Sequence, residues 1–186
     1  MPGRDWIGFV NVAIVPARGG SKRIPRKNVK RFRGRPMLAW SVQAAAASGV
    51  FERIIVSTDD EEVAAVGLEC GADVPFTRPA QHADDHATTT QVMAHAAEWL
   101  EEQGESVDAL CCIYATAPFV RAEDLARSAE TFASGRWAYV FAATEFAAPV
   151  ARSFRVLDGG GVEMFFPEEF NTRSQDLPVA YHDAAQ

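Results

Sequence analysis

The stretch FVNVAIVPA, Phe9 to Ala17, is apolar at almost every position and rich in β-branched residues. An unbroken run of that kind reads as a strand covered on both faces, because a strand with one wet face alternates apolar and polar residues. A strand covered twice needs helices above and below it, which narrows the fold to a parallel α/β architecture. The following segments keep the same rhythm. PMLAWSVQAAAAS supplies helix formers behind Pro36, with Gly49 placed to end them, and ERIIVSTDD gives a second strand. Asp59 followed by Glu62 predicts the cap of a helix through EEVAAVGLEC that stops at Gly71. Thr88 with Gln91 forms a capping-box pattern before VMAHAAEWLEEQG, and VDALCCIYA reads as another buried strand. A helix over AEDLARSAETFAS and a strand over WAYVFAAT extend the alternation through residue 143. The expected fold is α/β in three layers, a mostly parallel sheet with helices on both faces. From Pro149 the texture changes: SFRVLDGGGVEMFF predicts a hairpin around Gly159 to Gly161, and NTRSQDLPVAYHDAAQ is polar and irregular.

At 186 residues and 48% hydrophobic content, the chain suits a single domain over 1–186, with 1–11 as an N-terminal extension. Its net charge of -7 argues against a general nucleic-acid or membrane-surface binder. Yet nine of the eighteen Lys and Arg residues fall between positions 18 and 35, an asymmetry that suits a small anionic ligand. Cys70, Cys111 and Cys112 form an odd set without zinc spacing and read as reduced, buried thiols. No apolar run reaches the length that spans a bilayer, and MPGRDWIGFVN lacks a signal-peptide layout, so a cytoplasmic protein is expected.

Five of these cations lie in VPARGGSKRIPRKN, which begins at the end of the first strand. In a parallel sheet, ligands bind beyond the carboxyl ends of the strands. Gly19 and Gly20 allow close backbone approach, so that amide N–H groups can face phosphate oxygens, with Arg18 and Lys27 adding charge-assisted bonds. Neither G-x-x-x-x-G-K-[ST] nor G-x-G-x-x-G is present, and a solvated turn fits the same residues.

AIVPARGGSKRIPRKN resembles the signature of the cytidylyltransferases that make CMP-sialic acids, in the nucleotidyltransferase fold of glycosyltransferase A type, which is Rossmann-like. RIIVSTDDEEVA, VPFTRPAQHADDHATT and CCIYATAPF resemble the same family in the same order, and CCIYATAPF with NTRSQDLPVAYHDA is most similar to its branch acting on pseudaminic acid, a nonulosonic acid. The resemblance covers Val12 to Gln186. It implies transfer of CMP from CTP to the anomeric hydroxyl of a nine-carbon acidic sugar, with release of pyrophosphate. It implies a triphosphate grip by Arg18, Gly19, Gly20, Ser21, Lys27 and Asn28, with Arg18 and Lys27 in the catalytic role of stabilising phosphate charge. It assigns cytosine and ribose contacts to Arg78, Ala87, Thr88 and Thr89, although helix capping is an equal reading of the two threonines. Tyr114 and Thr116, in YATAPF, fall between nucleotide and sugar; Tyr114 stands where sialic-acid members carry glutamine, and core packing is its other reading. Arg173 and Gln175 suit a sugar carboxylate and hydroxyls, with Asp176, Tyr181, His182 and Asp183 as further candidates, while an exposed loop explains Arg173 equally well.

The chain ends at Gln186, where members of the family continue for several tens of residues and carry an aspartate motif that holds magnesium. The resemblance therefore places the Mg2+ ligands beyond residue 186, and no metal ligand is assigned within the chain. His95 reads as a packed core residue, and His82 and His86 beside Asp84 and Asp85 lack the spacing of a metal cage. A shortened, non-catalytic relative that binds nucleotide or serves assembly, and a cytidylyltransferase for sialic acid or 3-deoxy-octulosonate, remain alternatives. The resemblance also implies a homodimer.

Overall fold

The structure, a computed structural model, describes residues 10–184; most of the expected N-terminal extension lies outside the described residues. The chain divides into two compact units, one reaching Val140 and the other beginning at Phe141.

The first unit is built on β1 (Asn11–Pro16), which is followed by a two-residue hairpin of β2 (Arg31–Phe32) and β3 (Arg35–Pro36). Arg33 and Gly34 form its turn, both at positive φ (48° and 85°), as the right-handed twist of a tight hairpin demands. Helix α1 (Met37–Ser48) ends on Gly49 in the left-handed region, and β4 (Arg53–Ser57), α2 (Glu61–Glu69), α3 (Thr89–Glu102), β5 (Ala109–Cys112) and α4 (Ala122–Ala133) follow. The sheet order is β4-β1-β5, all parallel, with Val12 opposite both Arg53 and Leu110.

Alternation along β1 feeds two cores. Ala13, Val15 and Ala17 point into a cluster with Leu38, Val42, Val63 and Leu125 from α1, α2 and α4, while Val12 and Ile14 meet Ala96 and Leu100 of α3 on the other face. Residues Val12 to Val15 have no solvent exposure, which matches the two-sided burial read from the sequence. Cys111 and Cys112 are free thiols, consecutive in β5, and burial pushes them up to about 12 and about 11.

The expected cap of α2 is displaced by one residue. Asp60 rather than Asp59 is the N-cap, accepting the Val63 N–H at 3.0 Å. The Thr88–Gln91 capping box of α3 forms with both of its reciprocal bonds.

The second unit holds β6 (Ala143–Glu145), β7 (Phe154–Val156), β8 (Val162–Met164) and β9 (Tyr181–Asp183). The hairpin β7-β8 turns through Gly159, Gly160 and Gly161, all at positive φ, where the sequence placed it. The strand expected over WAYVFAAT does not form as such. Residues 137–142 are not in a strand, and β6 pairs antiparallel with β9 instead of joining the parallel sheet. Trp137, Tyr139 and Phe141 are all more than half exposed. Aromatic and β-branched side chains suit a half-buried pleat but do not by themselves supply the partner strand and covered face that a pleat needs.

Ile14 is fully buried at the centre of the sheet under α3, so Ile14→Ala should cost about 2–5 kcal/mol. A urea titration would show the midpoint fall with an unchanged slope.

Candidate functional site

The loop that leaves β1 is fastened to its neighbours at each end. The Ala17 N–H donates to Ser57 O at 2.9 Å, which ties the loop's start to the end of β4. At the far end Asn28, nearly buried, donates through Nδ2 to Arg18 O at 2.9 Å, and its own carbonyl accepts the Leu38 N–H at 2.9 Å. Asn28 thereby closes the loop on itself and anchors it to α1. The residues between, Arg18 to Lys27, lie beyond the carboxyl ends of the parallel strands, where the sequence placed a ligand site.

Within that loop the cations and amides meet carboxylates. Asp59, freed from capping α2, accepts the Gly19 N–H at 2.9 Å. Arg26, a non-glycine residue at φ 56°, donates to both oxygens of Asp60 (2.5 and 3.1 Å) and also pairs with Glu62. The Arg26 guanidinium holds the Asp60 carboxyl below the usual carboxylate range, against a cost of burial and with help from the Val63 N–H. Arg18 Nη1 donates to Asp84 O at 2.7 Å and lies 2.9 Å from Asp85 Oδ1, and Lys22 pairs with the other oxygen of Asp85. Lys27 is half-buried and has no ion-pair partner among the described residues. Gly20 is exposed, and the Ser21 N–H turns back to Gly19 O at 2.9 Å.

Arg78 sits deeper, only 4% exposed. Its Nε donates to Ser57 Oγ at 3.0 Å, Nη2 donates to Ser57 O, and Nη1 reaches His82 O at 3.4 Å, while burial lowers the guanidinium from its ordinary value. Its backbone N–H donates to Thr58 O at 2.7 Å, so strand β4 continues as a wall beside the loop. The 84–89 segment adjoins this wall: Asp84 Oδ1 accepts the N–H groups of His86 (2.9 Å) and Ala87 (2.7 Å), and Thr88 then caps α3. Thr88 Oγ1 accepts the Gln91 N–H, so the capping reading of Thr88 holds; Thr89 is exposed in the first turn. Tyr114 and Thr116 are half-buried past the end of β5, and Tyr114 O accepts Ser41 Oγ from α1 at 2.8 Å.

The structure thus brings Arg18 to Asn28, Arg78 and Ala87 to Thr89 together around the ends of β1 and β4. The candidates of the second unit form separate local pairs. Arg173 Nε donates to Asp176 Oδ2 at 2.8 Å, Tyr181 OH to Glu145 Oε1 at 3.3 Å, and Gln175 is exposed between them in sequence. His182 packs against Phe146 at 4.7 Å between ring centroids. Sequence reasoning missed the acidic partners Asp59, Asp60, Glu62 and Asp85. The sequence offered Asp59 and Glu62 only as a helix cap and Asp85 only as a neighbour of His86, in segments already matched to the site. No group of three or more His, Cys, Asp or Glu side chains converges among the described residues, so they offer no ready cage for magnesium.

Beneath the wall lie two imidazoles. The His82 and His95 rings are 5.4 Å apart, His95 also meets Phe76 edge-on at 4.9 Å, and the Nδ1 atom of each is buried without a partner. The expectation of a packed His95 is met.

These features define a three-layer α/β protein of the nucleotidyltransferase type with a cation-rich loop over its parallel strands. The cytidylyltransferase family profile matches residues 12–158. A pseudaminic acid cytidylyltransferase of Campylobacter jejuni is 44% identical over 174 residues, which cover 94% of this chain and 75% of that one. The chain belongs to the cytidylyltransferase family of enzymes. Its fold is shared with a CMP:2-keto-3-deoxy-manno-octonic acid synthetase solved with CTP (TM-score 0.56, 23% identity, 67% of this chain and 48% of that one). It is shared too with a 4-diphosphocytidyl-2C-methyl-D-erythritol synthase of Anaerococcus prevotii (TM-score 0.60, 13% identity, 95% of this chain and 72% of that one). No described helix is long and apolar enough to cross a membrane.

Two outcomes test this geometry. A Cβ on Gly19 would lie 2.5 Å from Asp60 Oδ2 and 2.8 Å from Asp60 Cβ, and Asp60 is pinned as both helix cap and partner of Arg26. Gly19→Ala should therefore lower stability by about 1–3 kcal/mol in a thermal melt. The second concerns pH. Burial first, then the charges of His82 and Arg78, hold the His95 imidazole below its ordinary value. A depressed histidine favours the neutral form in the folded state. Its contribution is whole above an unfolded value of about 6.5 and is lost as pH falls through that value toward the folded one. Melting temperature should drop between about pH 7 and 5 more steeply in the parent than in His95→Phe.

Proposed function

We propose that the chain transfers CMP from CTP to the anomeric hydroxyl of a nonulosonic acid, pseudaminic acid being the acceptor, and releases pyrophosphate. The observation that carries this is the cation-bearing loop closed by Asn28 beyond β1, in a chain 44% identical to a pseudaminic acid cytidylyltransferase over nearly its whole length.

In this reaction the anomeric hydroxyl oxygen attacks the α-phosphorus of CTP and gives up its proton to solvent, a P–O bond forms there, and the bond to the β-phosphate oxygen breaks. Negative charge grows on the departing pyrophosphate. Lys27, half-buried and without an ion-pair partner among the described residues, is suited to meet that charge at once. Arg18 joins it from the loop's first turn, with the Gly19 and Gly20 backbone and Ser21 around the phosphates. Arg78, Ala87, Thr88 and Thr89 form the base and ribose side of the reading. The acceptor side is assigned on residue type. Tyr114 and Thr116 follow β5, and Arg173, with Gln175, Asp176 and Tyr181, offers a guanidinium for a carboxylate and groups for hydroxyls. Magnesium, when bound, would neutralise phosphate charge; the described residues do not form a site for it. We place the enzyme in the cytoplasm and as a homodimer.

Calorimetric titration with CTP, using ATP as control, should show selective binding that Lys27→Ala and Arg18→Ala each abolish or weaken strongly. Pyrophosphate release with pseudaminic acid should fall by about 10²–10³-fold in Lys27→Ala. A folded chain that ignores CTP, or one that releases pyrophosphate as fast with sialic acid as with pseudaminic acid, would overturn the corresponding half of the reading.

A further inference from the structure

Three of the loop's cations, Arg18, Lys22 and Arg26, are already bound to anions, and those anions belong to the chain itself. Asp85 is placed between two of them, with Oδ1 2.9 Å from Arg18 Nη1 and Oδ2 against Lys22 Nζ. Its aim is imposed by its neighbours. Asp84 folds the backbone into a turn by accepting the His86 and Ala87 N–H groups, its carbonyl accepts Arg18 Nη1, and Thr88 opens α3 directly afterwards. A turn on one side and a helix cap on the other deliver the Asp85 carboxylate to the loop.

The contact is also open to exchange. Roughly a third of the Arg18 and Asp85 side chains is exposed, and 81% of Lys22. Phosphate and carboxylate oxygens compete for the same guanidinium and ammonium donors, and a solvent-exposed ion pair gives up its partner at little cost. Asp60 differs, since it both caps α2 and grips Arg26 through two oxygens; releasing it would undo a helix end. Asp85 caps no helix and is the carboxylate that holds two of the loop's cations at once, Arg18 and Lys22, so its departure frees both without that penalty.

We propose that Asp85 is an internal counter-anion of the loop: it holds Arg18 and Lys22 in the unliganded chain and yields them to the triphosphate when nucleotide binds. The proposal rests on the reading of this loop as a triphosphate cradle. Asp85 is then a positioning residue. It keeps Arg18 over the site while the site is empty, and it sets the affinity for polyphosphate by the charge that must be displaced. Weak anions must then compete with a tethered carboxylate before they can occupy the loop.

The test is calorimetric titration of the parent chain, Asp85→Asn, Asp85→Ser and Asp85→Glu with CTP and with inorganic tripolyphosphate, each protein checked by circular dichroism and thermal melting. Both neutral variants should bind both ligands about three- to tenfold tighter than the parent, and Asp85→Glu, which keeps the charge, within about twofold of it. The Asn and Ser variants remove the charge with different shapes, so a folding defect in one leaves the other to decide. A residue that only braces the loop would weaken binding when neutralised. Unchanged or weaker binding by the folded neutral variants, with CTP bound by the parent, overturns the role of Asp85 alone. If neither the parent nor the neutral variants bind tripolyphosphate or CTP, there is nothing for Asp85 to compete with, and the cradle reading falls with it.

Discussion

Everything in the first unit is referred to one strand. β1 hydrogen-bonds on both edges, to β4 and to β5, and packs on both faces, against α1, α2 and α4 on one side and α3 on the other. Each of its side chains has one allowed direction, because a slip of one residue would exchange the two cores. That constraint fixes where Ala17 emerges, and with it the start of the basic loop. The Ala17 bond to Ser57 and the Arg78 bond to Thr58 then set the loop and the adjoining wall in register with the same strand ends.

The part of the chain legible from sequence is the part governed by this burial. The run from Val12 to Val15 announced its two-sided cover, and the Thr88–Gln91 pair announced the start of α3, because periodicity and caps are local signals. Asp59 and Asp60 show where locality ends. Either could cap α2, and the choice depends on which carboxylate the loop, forty residues earlier, needs at the Gly19 amide. The aromatic run near Tyr139 failed for a related reason, since strand propensity says nothing of which partner strand is at hand, and the one that β6 found lies near the end of the chain. In the site, the cations could be read from composition and the resemblance, whereas their acidic partners come from distant segments joined only by the fold.

An acidic chain that concentrates half its cations between residues 18 and 35 faces a repulsion problem before any ligand arrives. The structure meets it with carboxylates from two other loops, at the start of α2 and before α3. Folding therefore does not wait on nucleotide to neutralise the loop. The same arrangement keeps Arg26 in a left-handed backbone conformation that a non-glycine residue seldom adopts without an external hold.

Consecutive residues on a strand face opposite ways, so Cys111 and Cys112 present their sulfurs to different sides of β5 and are badly placed to join each other. Burial raises both thiols well above the ordinary cysteine value, which disfavours the nucleophilic thiolate at neutral pH. Adjacent cysteines would ordinarily invite suspicion of a redox switch. Here the strand's pleat separates the two sulfurs, and their half-buried surroundings disfavour the charged thiolate through which a redox switch would act.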